Sequence, residues 1–264
     1  MKIALPLFAL ALSVSQCAAA ADTSAALPYK FETWSFYGVS GTYDRGALQR
    51  GYQVYKEVCS ACHNMDLVSF NDLAAPGGPG FSVAQAKALA AGNQMPAEPN
   101  DKGDLFNSKG ERLTRPGILA DHFPPAFPNE QAARAANGGA LPPDLSVIEK
   151  ARAGGPDYVY SILTGFTEKP PKGFKVMAGK YYDPYFPGRN ISMPPPLIDN
   201  AVTYADGTKA TVAQEAHDVA TFLAWAAEPK LEERHRLGFS VIAYLLLLSG
   251  LLYLCYRRVW KDMH

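Results

Sequence analysis

The sequence predicts a mostly α-helical exported domain with long loop insertions, followed by one C-terminal transmembrane helix. Three observations predict it: a short apolar run at the N-terminus, an uncharged apolar run near the C-terminus, and abundant Gly and Pro between them. The 22 Gly and 21 Pro in 264 residues favour ordered loop over regular sheet. A hydrophobic content of 48% with 19% charged residues excludes both a disordered chain and a polytopic membrane protein.

Residues 1–21 begin with Lys2, continue through the apolar stretch Ile3 to Val14, and end in Ala18-Ala19-Ala20-Ala21. That order is a secretory signal peptide, with an apolar region too short to span a bilayer. Gln16 is a poor match to the small residue expected before a lipidated cysteine, so Cys17 is assigned to the removed peptide. Residues 22–236 then form the exported domain and residues 237–256 the span, with a short cytoplasmic tail at 257–264. At 1.5 Å per residue the uncharged run from Leu237 to Tyr256 covers about 30 Å, the thickness of bilayer hydrocarbon. Arg257, Arg258 and Lys261 follow it, and Tyr253, Tyr256 and Trp260 are candidate interfacial anchors. The positive-inside bias puts His264 in the cytoplasm and the domain outside, as export also requires.

The formal charge of zero hides a small asymmetry: residues 22–256 carry 21 basic against 24 acidic side chains. This argues against nucleic acid as a partner and mildly favours a basic one.

Only Cys59 and Cys62 fall in the exported domain, since Cys255 lies in the span. No strand–helix alternation surrounds them, as a thioredoxin-like pair would require, and His63 follows directly. Cys59-Ser60-Ala61-Cys62-His63 is the attachment pattern of a c-type haem. Two thiols three residues apart on one helical turn reach both porphyrin vinyl groups, and the adjacent imidazole turns under the iron. A zinc site would need a second ligand pair, which is missing. Leu48, Tyr52, Tyr55 and Cys59 recur at helical spacing, with Thr42 or Asp44 as N-cap. In small c-type cytochromes, which this segment resembles, a glycine placed as Gly51 is allows close contact with a C-terminal helix. Val212 to Ala227 is the expected partner: Thr211 and Gln214 form a capping-box pattern, Pro229 follows, and Val212, Ala216, Val219, Leu223 and Ala226 make one stripe.

A second axial ligand favours electron transfer, whereas an open position favours ligand or peroxide chemistry. The candidates are Met65, Met95, Met177, Met193, His122, His217 and His235. Met65 is too near His63 to cross the ring. His217, within the C-terminal helix, and His235, at the membrane edge, are expected to face solvent, and nothing singles out His122 or Met177. Met95 and Met193 each precede proline, which holds a ligand loop extended. Met193 is favoured because Pro194-Pro195-Pro196-Leu197 leads soon into the C-terminal helix, while Met95 opens a polar stretch that reads as a surface excursion.

Longer runs narrow the reading. They are Arg50-Gly51-Tyr52-Gln53-Val54-Tyr55, Ala135-Ala136-Asn137-Gly138-Gly139-Ala140-Leu141-Pro142-Pro143-Asp144-Leu145-Ser146, Asp157-Tyr158-Val159-Tyr160-Ser161-Ile162-Leu163-Thr164-Gly165, Tyr185-Phe186-Pro187-Gly188 and Trp225-Ala226-Ala227-Glu228-Pro229. In this order they resemble the cytochrome c1 family, the haem-bearing subunits of the cytochrome bc1 complex (ubiquinol–cytochrome c oxidoreductase). The resemblance covers nearly all of residues 30–260. It implies a class I cytochrome c-like core and one covalently bound haem c, held through Cys59 and Cys62, with His63 and Met193 as axial ligands. It implies Arg152 beside a haem propionate, where a guanidinium supplies a bidentate, charge-assisted partner. It also implies that Asn137, Pro142, Pro143 and Tyr158 line the pocket. Some bacterial members carry an extra disulfide in this domain, and this sequence lacks the cysteines for it. The function implied is electron transfer, with no bond made in a substrate. One electron passes from the Rieske iron–sulfur protein to a soluble or membrane-anchored cytochrome c, beside cytochrome b. The expected location is a bacterial inner (cytoplasmic) membrane, single-pass and in contact with lipid, haem domain on the periplasmic side. Glu98, Asp101, Asp104 and Glu111 are candidates for docking a basic cytochrome c, or a merely solvated loop.

Overall fold

The computed structural model describes residues 26–261, so the signal peptide, Cys17 and residues 262–264 of the tail lie outside the described residues. Helix α1 spans Arg45–Glu57 and takes Asp44 rather than Thr42 as its cap, the carboxylate accepting from the Gly46 and Ala47 N–H groups. An anion at this end also complements the helix dipole. The helix stops two residues earlier than the spacing of Tyr52, Tyr55 and Cys59 predicts. Cys59–Ala61 instead form a tighter single turn, with the Cys62 and His63 N–H groups both donating back to the Cys59 carbonyl at 3.1 and 2.9 Å.

The C-terminal helix of the domain, α5 (Val212–Ala227), has the expected bounds, and the Thr211 hydroxyl accepts from Gln214 N–H at 3.2 Å. Helix α1 crosses it at Gly51. A Cβ there would stand 2.0 Å from the Asp218 carbonyl oxygen and 2.7 Å from Phe222 Cβ. The face of α5 that meets α1 is therefore Asp218–Phe222, one residue round from the predicted stripe. Arg50 seals the crossing, its Nε and Nη2 gripping the fully buried Asp218 carboxylate at 2.8 and 3.0 Å. The core fills the space around this pair, with Leu48, Val54, Met65, Leu73 and Trp225 all nearly inaccessible.

The segment 93–190, expected to be long loops, is more ordered than that. Before it lies α2 (Val83–Ala91), closed by a reciprocal Ser82–Gln85 capping box. Within it lie α3 (Glu130–Ala136) and α4 (Pro156–Gly165), and α4 also packs on α5. Strands β1 (Gln94–Pro96) and β2 (Thr114–Pro116) pair antiparallel, as do β3 (Tyr181–Tyr182) and β4 (Asn190–Ile191). Between β1 and β2 one device occurs twice: the Asn100 side chain accepts from Lys102 and Asp104 N–H, and Asn107 does the same for Lys109 and Glu111. With Arg115 clamped on Asp121 at 2.6 and 2.8 Å, these turns order a region that has no disulfide.

Helix α6 runs from Leu231 to Val259 and is the one helix among the described residues long and apolar enough to cross a membrane. It begins six residues before the expected span. Its first turn belongs to the domain, because Glu232 accepts from Arg45 Nη2 at 2.6 Å and from Tyr43 N–H at 2.9 Å. Neither His217 nor His235 faces open solvent as expected. His217 stacks on Trp34 at 4.8 Å between ring centroids, and His235 Nδ1 lies 3.2 Å from the Gly41 carbonyl.

Candidate functional site

A cavity of about 510 Å³ opens where the end of α1, α4, α5 and the segment after β4 converge. The turn after α1 contributes Cys59, Cys62 and His63, and the segment after β4 contributes Met193. Asn137, Pro142, Pro143, Arg152 and Tyr158 line it as well. Every site residue named from the sequence therefore reaches one space, although residues 59 and 193 are far apart in the chain. The other candidate ligands do not line it. Met65 is fully buried in the core, Met95 is buried in β1 against Gly117, and Met177 and His122 are exposed. Burial of Met95 corrects its reading as part of a surface excursion.

The local chemistry follows from how each side chain is held. His63 Nδ1 lies 2.8 Å from the Pro143 carbonyl. A carbonyl only accepts, so Nδ1 carries the proton and Nε2 keeps its lone pair free. Burial lowers the His63 pKa, which favours the same neutral imidazole. Burial, with a smaller contribution from Cys62, pushes the Cys59 thiol up to about 12. A redox-active thiol is shifted the opposite way. Asn137 caps α3 and spends its amide on the Ala133 carbonyl at 2.7 Å, leaving it a wall residue.

Arg152 and Tyr158 are brought together by the Gly154-Gly155 turn. Both glycines have positive φ, +92° and +52°, and a Cβ on Gly154 would strike the Tyr29 ring at 2.5 Å. The turn thus starts α4 at Pro156 while leaving Arg152 beside the Tyr158 ring. Burial raises the Tyr158 pKa and the Arg152 charge opposes that rise. Tyr29 meets Tyr158 edge-on at 5.4 Å.

The remaining lining is apolar and was not singled out from the sequence: Val159, Ile162 and Leu163 of α4, Val219 and Leu223 of α5, and Phe186. The α4 residues follow helical spacing, which signals a buried face without saying what it faces. Val219 and Leu223 belong to the stripe expected to pack on α1, and they turn to the cavity instead.

A family model described as the Cytochrome C1 family matches residues 34–263. The chain belongs to that family. It is 47% identical to the cytochrome c1 of Rhodospirillum rubrum over 88% of this chain and 87% of that protein. It is 46% identical to a mitochondrial cytochrome c1 heme protein of Arabidopsis thaliana, over 96% and 78% of the two chains. A protein named cytochrome b/c1 from Bradyrhizobium diazoefficiens is 51% identical over 88% of this chain, which spans only 35% of that longer relative. Membership of the cytochrome c1 family implies a haem c, and the cavity fits one. It is large enough for a cofactor, mostly apolar, and carries two thiols, a neutral imidazole, a thioether and one guanidinium as its convergent polar groups. With α6, the family marks a single-pass membrane protein of electron transport.

Proposed function

We propose that this chain is the electron-transfer subunit of a quinol-oxidising cytochrome bc1 complex, taking one electron from the Rieske iron–sulfur protein and passing it to a cytochrome c. Cytochrome b is the third protein partner. The observation that carries the reading is the convergence of Cys59, Cys62, His63, Met193 and Arg152 on one apolar cavity. Cys59 and Cys62 would hold one haem c through thioether bonds, His63 Nε2 and the Met193 sulfur would ligate its iron, and Arg152 and Tyr158 would receive a propionate. When bound, haem c supplies a one-electron iron couple, and a thioether donor suits a high potential. The Pro143 carbonyl fixes the tautomer of His63, and the α4 and α5 side chains keep water from the site. With His63 and Met193 both ligating, the site would suit electron transfer rather than chemistry on a substrate. Residues 1–21 are the export signal. Arg257, Arg258 and Lys261 keep the tail in the cytoplasm, so the haem domain lies on the periplasmic side of a bacterial membrane.

Optical spectroscopy tests the ligand set. Met193→Leu abolishes the weak thioether-to-ferric-iron band at the red end of the visible and opens the reduced protein to carbon monoxide, whereas Met95→Leu changes neither. Rapid carbon monoxide binding by the wild type would instead mark an open-site haem enzyme. Affinity purification from membranes is expected to bring down cytochrome b and a Rieske protein in equal amounts; their absence would leave a free membrane-anchored shuttle.

A further inference from the structure

A second cavity, of about 320 Å³, lies away from the haem site at the joint between the domain and α6. Its aromatic wall is Phe36, Tyr37 and Tyr43, with ring centroids of Phe36 5.3 Å from Tyr37 and 5.0 Å from Tyr43. Glu149 also lines it, is only 6% exposed, and leaves Oε1 with no hydrogen-bond partner among the described residues. The neighbouring Asp157 gives no relief, being a second acid whose Oδ1 already accepts from Trp34 Nε1 at 2.7 Å and Glu32 N–H at 3.2 Å. Burial first, and Asp157 second, raise the Glu149 pKa well above the ordinary carboxyl range. A buried carboxyl oxygen without a donor is costly, and an incoming cation with N–H groups removes that cost.

The position says where such a cation comes from. Leu231 and Arg234, on the first turn of α6, line the cavity and stand about 9 Å and about 4.5 Å above the start of the uncharged run at Leu237. The polar layer on each side of a bilayer is about 5–7 Å deep. Arg234 therefore lies at headgroup depth and Leu231 just above it, so the cavity opens at the edge of that layer. Lys150 and Arg234 stand there, each more than half exposed and each already sharing Glu228, at 3.4 and 2.5 Å. Two cations sharing one carboxylate leave N–H groups free for a phosphate to accept from.

We propose that this cavity seats the headgroup of a phosphatidylethanolamine-type lipid, its ammonium donating to Glu149 Oε1 against the Phe36–Tyr37–Tyr43 wall and its phosphate facing Arg234 and Lys150. Three features select a primary ammonium. The orphan oxygen needs a hydrogen-bond donor, which a choline group lacks; the aromatic faces favour a cation; and a glycerol headgroup, though it has hydroxyl donors, offers no positive charge. The site is independent of the redox reading above.

The test uses the full-length, haem-loaded chain in detergent, delipidated and observed by native mass spectrometry with added dioleoyl-phosphatidylethanolamine or dioleoyl-phosphatidylglycerol. The wild type is expected to retain one phosphatidylethanolamine at about tenfold lower concentration than phosphatidylglycerol. Glu149→Leu, which removes the acceptor, should abolish that preference while the visible spectrum stays unchanged. Tyr37→Leu, at a half-exposed position, should weaken it several-fold and keeps the test open if the buried variant fails to fold. Equal retention of both lipids by the wild type, or an undiminished preference in both variants, overturns the proposal. So does loss of cytochrome b from Glu149→Leu membranes without any lipid preference in the wild type, which would make the cavity a protein interface.

Discussion

Asp183 is fully buried in the turn between β3 and β4, and its Oδ1 accepts from the N–H groups of Tyr185 and Phe186 at 2.9 and 3.2 Å. Its Oδ2 has no partner among the described residues. Burial, reinforced by Glu168, outweighs those two bonds and Lys30, and pushes the pKa from 3.8 up to about 6. The turn it clamps presents Phe186 to the haem cavity and leads into the segment bearing Met193. Between pH 4 and 6 the unfolded chain has already lost this proton while the folded one keeps it, so stability falls as pH rises through that window. Asp183→Asn keeps the acceptor and removes the titration. Relative to that variant, the wild type should lose about 2 kcal/mol between pH 4 and 6, read from paired thermal melts. A constant difference across the window would show that Asp183 does not hold its proton. At this scale the sequence was unevenly legible. Cys59, Cys62 and His63 were readable because their chemistry is fixed by contiguous spacing. Arg152 and Tyr158 came only from the family resemblance, since an arginine in a Gly-rich turn reads the same whether it faces a cavity or water. Asp183 and Glu149 were not singled out, because burial of an acid is set by what packs over it.

Helices and caps were the most legible elements. The bounds of α5 follow from the Thr211 cap and the Pro229 stop, and α1 differs only at its last turn. Helix α2 was overlooked although Ser82-x-x-Gln85 announces it, because its Ala-rich sequence has no apolar stripe to mark a face. The α1–α5 crossing was expected at Gly51, and the structure adds which side of α5 it meets. Gly51→Ala gains about 1 kcal/mol of helix propensity, yet its Cβ meets backbone at 2.0 Å and cannot be accommodated by a side-chain rotation. We expect a net loss of about 3 kcal/mol or more in denaturant unfolding of the haem-loaded chain, with the haem spectrum perturbed because the turn that follows α1 carries Cys59. An unchanged midpoint would mean the helices do not touch there.

For the whole molecule, the ribbon between β1 and β2 alters the expectation for docking. Its four acids, Glu98, Asp101, Asp104 and Glu111, are exposed, but Lys102, Lys109, Arg112 and Arg115 stand among them in the same segment. Asp104 and Glu111 also accept from the side chains of Asn100 and Asn107 at 3.3 and 2.8 Å, closing the two turns. The acids and bases of the segment are interspersed, and steering needs a field of one sign. Converting the four acids to Asn or Gln should therefore change the low-salt rate of cytochrome c reduction by less than about twofold. A tenfold fall with a flattened salt dependence would restore the docking role.

The sequence by itself determined what depends on neighbours along the chain: the Cys59–His63 motif, the helix caps, the uncharged run inside α6, and, through its long idiosyncratic runs, the family. Tertiary structure alone decided what depends on neighbours in space. It gathered Met193, Arg152 and Tyr158 beside His63, sorted Met95 into a strand, turned Val219 and Leu223 toward the cavity, and left Glu149 and Asp183 buried with unpaired oxygens. The physical reason is that capping and helical periodicity act over a few residues, whereas burial and desolvation are set by whichever distant segments pack above a side chain.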